Sequence, residues 1–338
     1  MVHCDFNLSV FLLNCFKILN IYSEFVSLYI FLTGGKLKMN NQKGREIYKQ
    51  WWFWGAIVIV AFIVYFALNM NQSGNQTFEA DREIHVYTRE VGSGTRSAFT
   101  EVTGLVDENG DDALTPKATV QNSTSATMQA VASDPHGISY ISLGSLNDSV
   151  KAVSVNGVEP NSENIQAGDY QLVRNFNVIY GQELSEVAQD FWNFMFSAQA
   201  QELVSEDGYV PVDTNAPEYE SSGLSGSISI VGSTSVEPTI QRFSEAYREL
   251  NPDVTIDITA PGSGAGITSA IDGSADIGMS SREPGEGEAS QLIETAPIAI
   301  DGIVVIINNN NPLDNLEVEE IQGIYLEYYG AWNEILED

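Results

Sequence analysis

The stretch SISIVGSTSVEPTIQRF, residues 227–243, predicts a strand, a turn and a helix in direct succession. Apolar and polar residues alternate over 227–231, as they do in a half-buried strand. The turn GSTS at 232–235 is rich in hydroxyl groups, and apolar residues then recur at helical spacing. We expect Thr234 or Ser235 to be the N-cap of this helix, where free N–H groups and the helix dipole favour an anion.

The same strand–turn–helix unit is predicted at two other places in the chain. A strand over 254–258 precedes the turn GSGAG at 262–266. Far upstream, a strand over 84–88 precedes Arg89 and the turn GSGT at 92–95. One such turn is weak evidence for a site, but three of them supply many N–H and O–H donors. The pattern favours binding of a tetrahedral oxyanion.

These motifs and several others resemble one known family. The matching stretches are GSTSVEP (232–238), GSGAGI (262–267), ADIGMSSRE (275–283), AIDGIVVIIN (299–308), TREVGSGTRSAF (88–99), GISYISLGSLNDSVKAVSVNGVEP (137–160) and VAQDFWNFMFSAQAQELVSEDGYVPV (187–212). With them the chain resembles the phosphate-binding component of ABC-type phosphate importers, from residue 82 to its end. The resemblance implies an α/β protein with the type II periplasmic-binding-protein fold, in which two Rossmann-like lobes hold the ligand in a cleft.

The resemblance also implies a set of ligand-binding residues. They are Thr234, Ser235, Ser263 and Ser281 of one half of the family's pattern and Arg89, Ser93, Gly94 and Thr95 of the other. The guanidinium of Arg89 suits an oxyanion because its planar fork can bond two oxygens at once. Ser281 departs from the pattern, since some members place there an Asp that accepts a hydrogen bond from protonated phosphate and so disfavours fully ionised sulfate. Phosphate and other tetrahedral oxyanions both remain open as ligands.

The order of the two halves differs from that of the family. The family's C-terminal half, residues 82–213, comes first; its N-terminal half, residues 227–338, comes second, after a polar linker at 214–226. One explanation is a circular permutation that closes into a complete binding protein, which termini lying close together would tolerate. The other is a segment of a tandem duplication whose halves pair with another chain. We favour the permutation because each half appears once.

The composition excludes several classes of function. The first 70 residues hold six of the 15 Lys and Arg and three of the 46 Asp and Glu, so the remainder holds nine and 43, a net charge of −34. Nucleic-acid binding needs a basic surface and is therefore not expected. His3, His85 and His136 are scattered, and the cysteines are confined to the first 15 residues, so we expect no metal and no cofactor. No nucleophile has a neighbouring base, so we expect no enzymatic activity.

The N-terminal region predicts a membrane anchor. Residues 39–50 are basic and are expected to be cytoplasmic; residues 51–69 are apolar with three tryptophans at the start, as in a transmembrane helix. Residues 70–81 form a polar stalk. Residues 1–38 are interrupted by charge and end in a Gly-Gly pair whose codons can spell a ribosome-binding site. We interpret them as a mis-annotated upstream extension before a true start at Met39. A cleaved signal peptide is the alternative to an uncleaved anchor.

Together these observations predict an extracytoplasmic, membrane-anchored solute-binding protein. It would capture inorganic phosphate by hinge closure and deliver it to the permease subunits of an ABC importer. A membrane-tethered oxyanion sensor and a partner-dependent part of a tandem phosphate-binding protein are the alternatives.

Among the secondary-structure elements, residues 150–155 predict one strand and residues 187–203 one long helix.

Overall fold

The computed structural model describes residues 77–108 and 111–336, and a mixed ten-stranded sheet runs through them. Helices cover the sheet, so the predicted α/β fold is confirmed. The predicted upstream extension, basic segment and anchor, residues 1–69, lie outside the described residues. Among the residues that are described, no helix is long and apolar enough to cross a membrane.

The elements of the first half precede the linker. They are β1 (His85–Arg89), α1 (Gly94–Val102), β2 (Thr119–Gln121), α2 (Thr124–Ser133), β3 (Gly137–Ser142), a 3₁₀ turn (Leu143–Ser145), β4 (Lys151–Ala152), β5 (Ser154–Val155), α3 (Ser162–Ala167), β6 (Val173–Tyr180), α4 (Glu186–Met195), α5 (Ala198–Glu206) and β7 (Val210–Pro211).

The elements of the second half follow the linker. They are β8 (Gly226–Gly232), α6 (Glu237–Leu250), β9 (Val254–Thr259), α7 (Ser263–Asp272), β10 (Ile277–Ser280), α8 (Glu286–Ala289), β11 (Glu294–Ile307), β12 (Asn315–Leu316), α9 (Val318–Tyr325) and α10 (Asn333–Leu336).

The two halves interleave within the sheet. Its strand order is β2-β1-β3-β11-β6-β10-β8-β9, with β4 and β7 also paired to β11. Strand β11 of the second half thus lies between β3 and β6 of the first half, and β6 lies between β11 and β10. Each half therefore completes the sheet of the other, and the two pack together within one chain.

The sheet carries two main hydrophobic cores. The first core joins buried residues from 84–172 and 303–335, including Phe99 and Trp332, with Val210 as one further member. The second core draws all its buried residues from 176–299. Smaller apolar clusters cover the opposite face of the sheet beside each core. Helices and loops thus bury both faces, as expected for a sheet with many parallel strands.

The end of the second half pairs with the beginning of the first. The Ile84 N–H donates to the Gly330 carbonyl at 2.9 Å, and the Asn333 N–H donates to the Ala80 carbonyl at 2.7 Å. Residues 330–333 and 80–84 are therefore neighbours, although nearly the whole domain separates them in sequence.

Two of the predicted elements were wrong in extent. The single helix expected over 187–203 is two helices, α4 and α5, because Ser197 caps the second one by accepting from the Ala200 N–H at 3.3 Å. The single strand expected over 150–155 is divided between β4, which pairs with β11, and β5, which pairs with β12.

The linker is held against the second core. The Tyr219 hydroxyl donates to the Asp190 carboxylate at 2.6 Å, and the Tyr219 ring packs edge-on against Phe194 with centroids 5.2 Å apart. The Tyr219 N–H also donates to the Gln199 side-chain oxygen at 3.0 Å. The polar composition of 214–226 does not reveal this single aromatic anchor.

Candidate functional site

The carboxyl ends of the parallel strands place the predicted turns side by side. In the first half, β1 and β2 pair in register, with Arg89 opposite Gln121. In the second half, β8 pairs with β9 and with β10, so that Gly232 lies opposite Met279. The parallel strands of the two halves run in opposite directions, because β11 is antiparallel to β3 and β6, and β10 is antiparallel to β6. In each half the turns therefore follow the carboxyl ends of that half's own strands, where α/β proteins bind their ligands.

Two glycines allow the turns to approach closely. Gly232 has a φ of +154°, and a Cβ there would overlap the Met279 carbonyl oxygen. A Cβ on Gly94 would lie 2.6 Å from the Ser281 Oγ and nearer still to the Ser263 Oγ. Gly94, of the first half, is therefore packed directly against two serines of the second half.

Arg89 is almost fully buried, at 2% exposure, and its guanidinium is held by three residues. Its Nε and Nη2 donate to the two carboxylate oxygens of Glu90 at 2.9 and 2.8 Å. Nη2 also donates to the Thr234 hydroxyl at 3.0 Å, and Nη1 donates to the Thr124 hydroxyl at 3.3 Å. These bonds use four of the five guanidinium N–H groups.

Seven hydroxyl side chains form a hydrogen-bonded group that starts at this guanidinium, and we call them the hydroxyl cluster. They are Thr95, Thr124, Ser233, Thr234, Ser235, Ser263 and Ser281. All but Thr234 are buried.

The hydroxyl cluster has two parts, and the hydroxyls within each part are hydrogen-bonded to one another. In the first part, the Ser235 hydroxyl lies 2.9 Å from that of Thr95 and 3.2 Å from that of Thr124. In the second part, the Ser281 hydroxyl lies 2.9 Å from that of Ser233 and 3.3 Å from that of Ser263. Because each hydroxyl can donate or accept, the cluster can turn its protons toward an anion.

The two long helices of the second half start at the hydroxyl cluster without a side-chain cap. Val236 is the N-cap of α6 and Gly262 that of α7, and neither helix start receives a capping bond from a side chain. The expectation that Thr234 or Ser235 caps α6 was wrong, because their hydroxyls bond across to the first half instead. Free N–H groups at a helix start suit an anion, but here the Glu237 N–H already donates to the Ser233 carbonyl and the Gly264 N–H to the Gly92 carbonyl.

Most of the predicted site residues come together here. Arg89, Gly94 and Thr95 contact the second half, and Thr234, Ser235, Ser263 and Ser281 all belong to the hydroxyl cluster or touch it. Ser93 is buried in the same turn, but its hydroxyl accepts from the Arg96 N–H at 3.4 Å and so serves as the cap of α1.

Three residues of this arrangement were not among the predicted site residues, although residues 121–125 are interpreted from the sequence as a polar helix cap for which a ligand role is the less favoured alternative. Glu90 holds the guanidinium of Arg89, Ser233 bonds Ser281, and Thr124 bonds Arg89. A signal for Thr124 was present, since it stands among hydroxyl residues before a helix, as the residues of the other turns do. It lacked the glycines that made those turns conspicuous.

A buried ion pair bridges the two strands that pass from one core to the other. Arg174 of β6 and Asp301 of β11 are register partners, with Nη2 and Oδ2 2.9 Å apart and side-chain exposures of 3% and 0%. Burial raises the pKa of Asp301 and lowers that of Arg174, because it penalises both charges. Asp301 also accepts from the Ser142 hydroxyl at 2.9 Å and the Leu143 N–H at 3.1 Å.

The two histidines of the described region take part in structural contacts. The His85 Nδ1 lies 2.7 Å from an Asp134 carboxylate oxygen, and the His136 Nε2 accepts from the Glu79 N–H at 3.0 Å. Across residues 77–108 and 111–336, no group of three or more His, Cys, Asp and Glu side chains is placed to hold a metal ion.

Known proteins match both the sequence and the fold. A family model for the PBP superfamily domain matches residues 68–199 and 217–337. Phosphate-binding protein PstS 2 of Streptococcus pneumoniae serotype 4 is 42% identical over 268 residues, which cover 78% of this chain and 92% of that protein. Phosphate-binding protein PstS 2 of Streptococcus agalactiae serotype V is 39% identical over 269 residues, covering 78% and 91%.

A solved structure agrees with these matches. The crystal structure of a phosphate-binding protein of a phosphate ABC transporter from Streptococcus pneumoniae TIGR4 has a TM-score of 0.62 at 42% identity, covering 75% of this chain and 99% of that one. The identity and coverage of these relatives exceed what a shared fold alone would give. The chain therefore belongs to the PBP superfamily and, within it, to the family of the PstS phosphate-binding proteins.

Proposed function

We propose that this protein binds inorganic phosphate between its two halves and delivers it to an ABC importer. The observation that carries the proposal is the buried Arg89, whose guanidinium reaches Thr234 of the other half at 3.0 Å beside the hydroxyl cluster. A buried cation surrounded by donors is what a dehydrated oxyanion requires. The relatives' names, phosphate-binding proteins of phosphate transport, support phosphate as the anion.

The proposed site residues are the eight that the resemblance implies. The seven besides Arg89 each offer a hydroxyl or a backbone N–H, and neither α6 nor α7 has a side-chain cap at its start. An anion would exchange the hydroxyl–hydroxyl bonds of the cluster for stronger charge-assisted bonds. This local attraction is needed because the domain's net charge of −34 opposes any anion.

Anion capture in this proposal proceeds by hinge closure. Strands β6 and β11 connect the two cores, and the turns that carry Arg89 and Thr234 lie on opposite sides of this connection. Rotation about the two strands would separate the turns and admit the anion, and closure would expel water from it. No chemical step on the ligand is proposed.

We also propose that the chain is a circular permutant of the order of halves that the resemblance implies for the family. Two observations support it: the family model matches in two parts, residues 68–199 and 217–337, and residues 80–84 pair with 330–333. Joining the existing ends would then restore the other order. A chain running from 223 to 338 and continuing from 77 to 222 should fold and bind phosphate; failure of this chain to fold would contradict the proposal.

The location of the protein is part of the proposal. The basic segment 39–50 and the apolar segment 51–69 support a single-pass anchor with the binding domain outside the cytoplasm. Protease added to intact cells should remove the domain and leave a membrane-bound N-terminal piece that starts at Met39. A native peptide from residues 5–30 would overturn the start at Met39. Protection of the domain from protease would overturn its location outside the cytoplasm.

The central test is calorimetric titration of the full-length chain in detergent micelles with phosphate, and separately with sulfate. We expect one phosphate per monomer, abolished in Arg89→Ala and retained in Arg82→Ala, which removes an exposed arginine. Equal affinity for sulfate would identify a general oxyanion receptor in which Ser281 provides no discrimination. A folded wild-type chain that binds neither anion would refute the proposed function.

A further inference from the structure

A fourth turn, outside the three found by sequence, reaches the site. Strand β2 ends at Gln121, and α2 begins at Thr124, which is 5% exposed. The Thr124 hydroxyl lies 3.3 Å from the Arg89 Nη1, 3.3 Å from the Thr234 hydroxyl and 3.2 Å from the Ser235 hydroxyl. Thr124 thus contacts three of the eight proposed site residues, from both halves of the chain.

The Thr124 hydroxyl is not used by its own helix. Ser123 caps α2 by accepting from the Ala126 N–H at 3.1 Å. Thr127, buried one turn later, donates to the Ser123 carbonyl at 3.0 Å, as a threonine inside a helix commonly does. Each of these two hydroxyls satisfies the backbone of α2, whereas the hydroxyl of Thr124 bonds only to the site.

We infer that Thr124 is a further phosphate-binding residue of this site, and this inference rests on the proposed function. As an acceptor, its oxygen fixes the Nη1 edge of Arg89. As a donor, it can turn its proton toward the Thr234 or the Ser235 hydroxyl, or toward an anion oxygen bound beside them. A threonine hydroxyl can do both at once, since it has one proton and two lone pairs.

Thr124 also complements Glu90 in orienting the guanidinium. Glu90 occupies the edge of Arg89 formed by Nε and Nη2. The Nη1 end has the single neutral acceptor Thr124 among the described residues. Without it, the guanidinium keeps its charge but loses the bond that fixes its Nη1 end. The loss should therefore weaken phosphate binding more than it weakens folding.

The test compares four full-length chains in detergent by phosphate titration: the wild type, Thr124→Val, Thr124→Ser and Thr127→Val. Thr124→Val keeps the shape and removes the hydroxyl. A lost hydrogen bond to a charged partner should raise the Kd about 10- to 100-fold. Thr124→Ser restores the hydroxyl and should recover most of the lost affinity. Thr127→Val removes a buried hydroxyl from the same helix and should leave the Kd within about threefold of wild type.

The outcomes separate this inference from the proposed function. If the wild type binds phosphate and folded Thr124→Val binds it equally well, Thr124 is not part of the site and the inference is wrong. If Thr127→Val weakens binding as much as Thr124→Val does, the effect is one of helix stability and the inference also fails. If the wild type does not bind phosphate, the proposed function itself fails.

Should Thr124→Val not fold, Thr124→Ala is tested in the wild-type and Arg89→Lys backgrounds. A lysine ammonium lacks the Nη1 edge that Thr124 holds. The rise in Kd caused by Thr124→Ala should therefore be smaller in the lysine background. An equal rise in both backgrounds would show that Thr124 does not act with Arg89.

Discussion

The Gly264 N–H donates to the Gly92 carbonyl oxygen at 3.0 Å, which joins the start of α7 to the turn after β1. This backbone bond connects the two halves. Unlike the side-chain contacts of the hydroxyl cluster, it does not depend on the identity of any side chain. It links the turn that carries Gly94 to the helix start that carries Ser263.

Removing this single bond should speed the release of phosphate. Gly264 is the second residue of α7, a position at which proline is tolerated, as Pro238 shows in α6. Gly264→Pro deletes the N–H, and a net loss of about 1 kcal/mol should raise the dissociation rate roughly fivefold. Stopped-flow displacement of phosphate by excess unlabelled anion measures this rate.

Gly264→Ala is the matched control for that experiment. It keeps the N–H, and its Cβ would lie 3.5 Å from the Gly92 Cα, an ordinary contact. Its dissociation rate should stay near that of wild type. Equal rates in the proline and alanine variants would show that the bond does not hold the two halves together.

Removing one charge of the buried pair of Arg174 and Asp301 should lower the free energy of unfolding far more than replacing both residues with apolar ones. Asp301→Asn leaves the guanidinium uncompensated in the interior, which typically costs about 3–5 kcal/mol of unfolding free energy. The double variant Arg174→Met/Asp301→Leu removes both charges and should recover at least half of that loss. Urea denaturation followed by circular dichroism compares the three chains. A double variant less stable than Asp301→Asn would contradict this reasoning.

Alkaline pH should unfold the domain by favouring ionisation of its buried tyrosine hydroxyls. Burial, with carboxylate neighbours in some cases, raises the pKa of Tyr140 to about 12 and raises those of Tyr87, Tyr170, Tyr209, Tyr247 and Tyr325. The unfolded chain releases these protons near pH 10. The folded state is therefore favoured below about pH 10, and this contribution to stability is lost as the pH rises toward the folded-state values.

Absorbance at 295 nm and circular dichroism, recorded over the same pH range, check this expectation. Most tyrosines should ionise together with the loss of the helical signal. Tyr140→Phe removes one of the hydroxyls whose ionisation is coupled to unfolding. Above about pH 10, the free energy of unfolding of this variant should therefore fall less steeply with pH than that of the wild type. Complete ionisation with the fold intact would show that burial does not protect these hydroxyls.

The aromatic anchor of the linker should control its susceptibility to proteases. Tyr219→Ala removes the bond to Asp190 and the ring contact with Phe194. Opening of 214–226 should then become easier by at least about 1.4 kcal/mol, so cleavage should be roughly tenfold faster. Limited proteolysis with mass spectrometry locates the cut. Tyr328→Ala, at a tyrosine that is 76% exposed, is the control and should leave the cleavage rate unchanged.

Short periodic patterns predicted the elements that position the site. The strand expected over 227–231 is β8, and the helix expected after it is α6, because alternation and helical spacing both reflect burial on one face. The prediction of one long helix over 187–203 was wrong because the apolar spacing continues across Ser197, where one helix ends and the next begins. A local cap ended the helix there without altering the hydrophobic pattern.

The candidate site was predictable where its residues lie in glycine-rich turns. Gly94 and Gly232 are needed for close approach, so their motifs are conspicuous in the sequence. Thr124 meets Arg89, Thr234 and Ser235 only because the fold brings its turn beside theirs. Glu90 follows Arg89 directly, but no sequence pattern shows that its carboxylate bonds the guanidinium. Contacts between elements distant in sequence leave no local periodicity, and sequence reasoning therefore found the turns but not the bonds between them.

The continuity of the second core has a consequence for how the protein matures. Its buried residues all lie within 176–299, whereas the first core needs 303–335 to pack against 84–172. During synthesis from the N-terminus, the second core can pack before residues 303–335 have left the ribosome. The apolar residues of the first core within 84–172 stay exposed to solvent until then. Prolonged exposure of apolar surface favours aggregation, so a chaperone that shields residues 84–172 should increase the yield of folded protein.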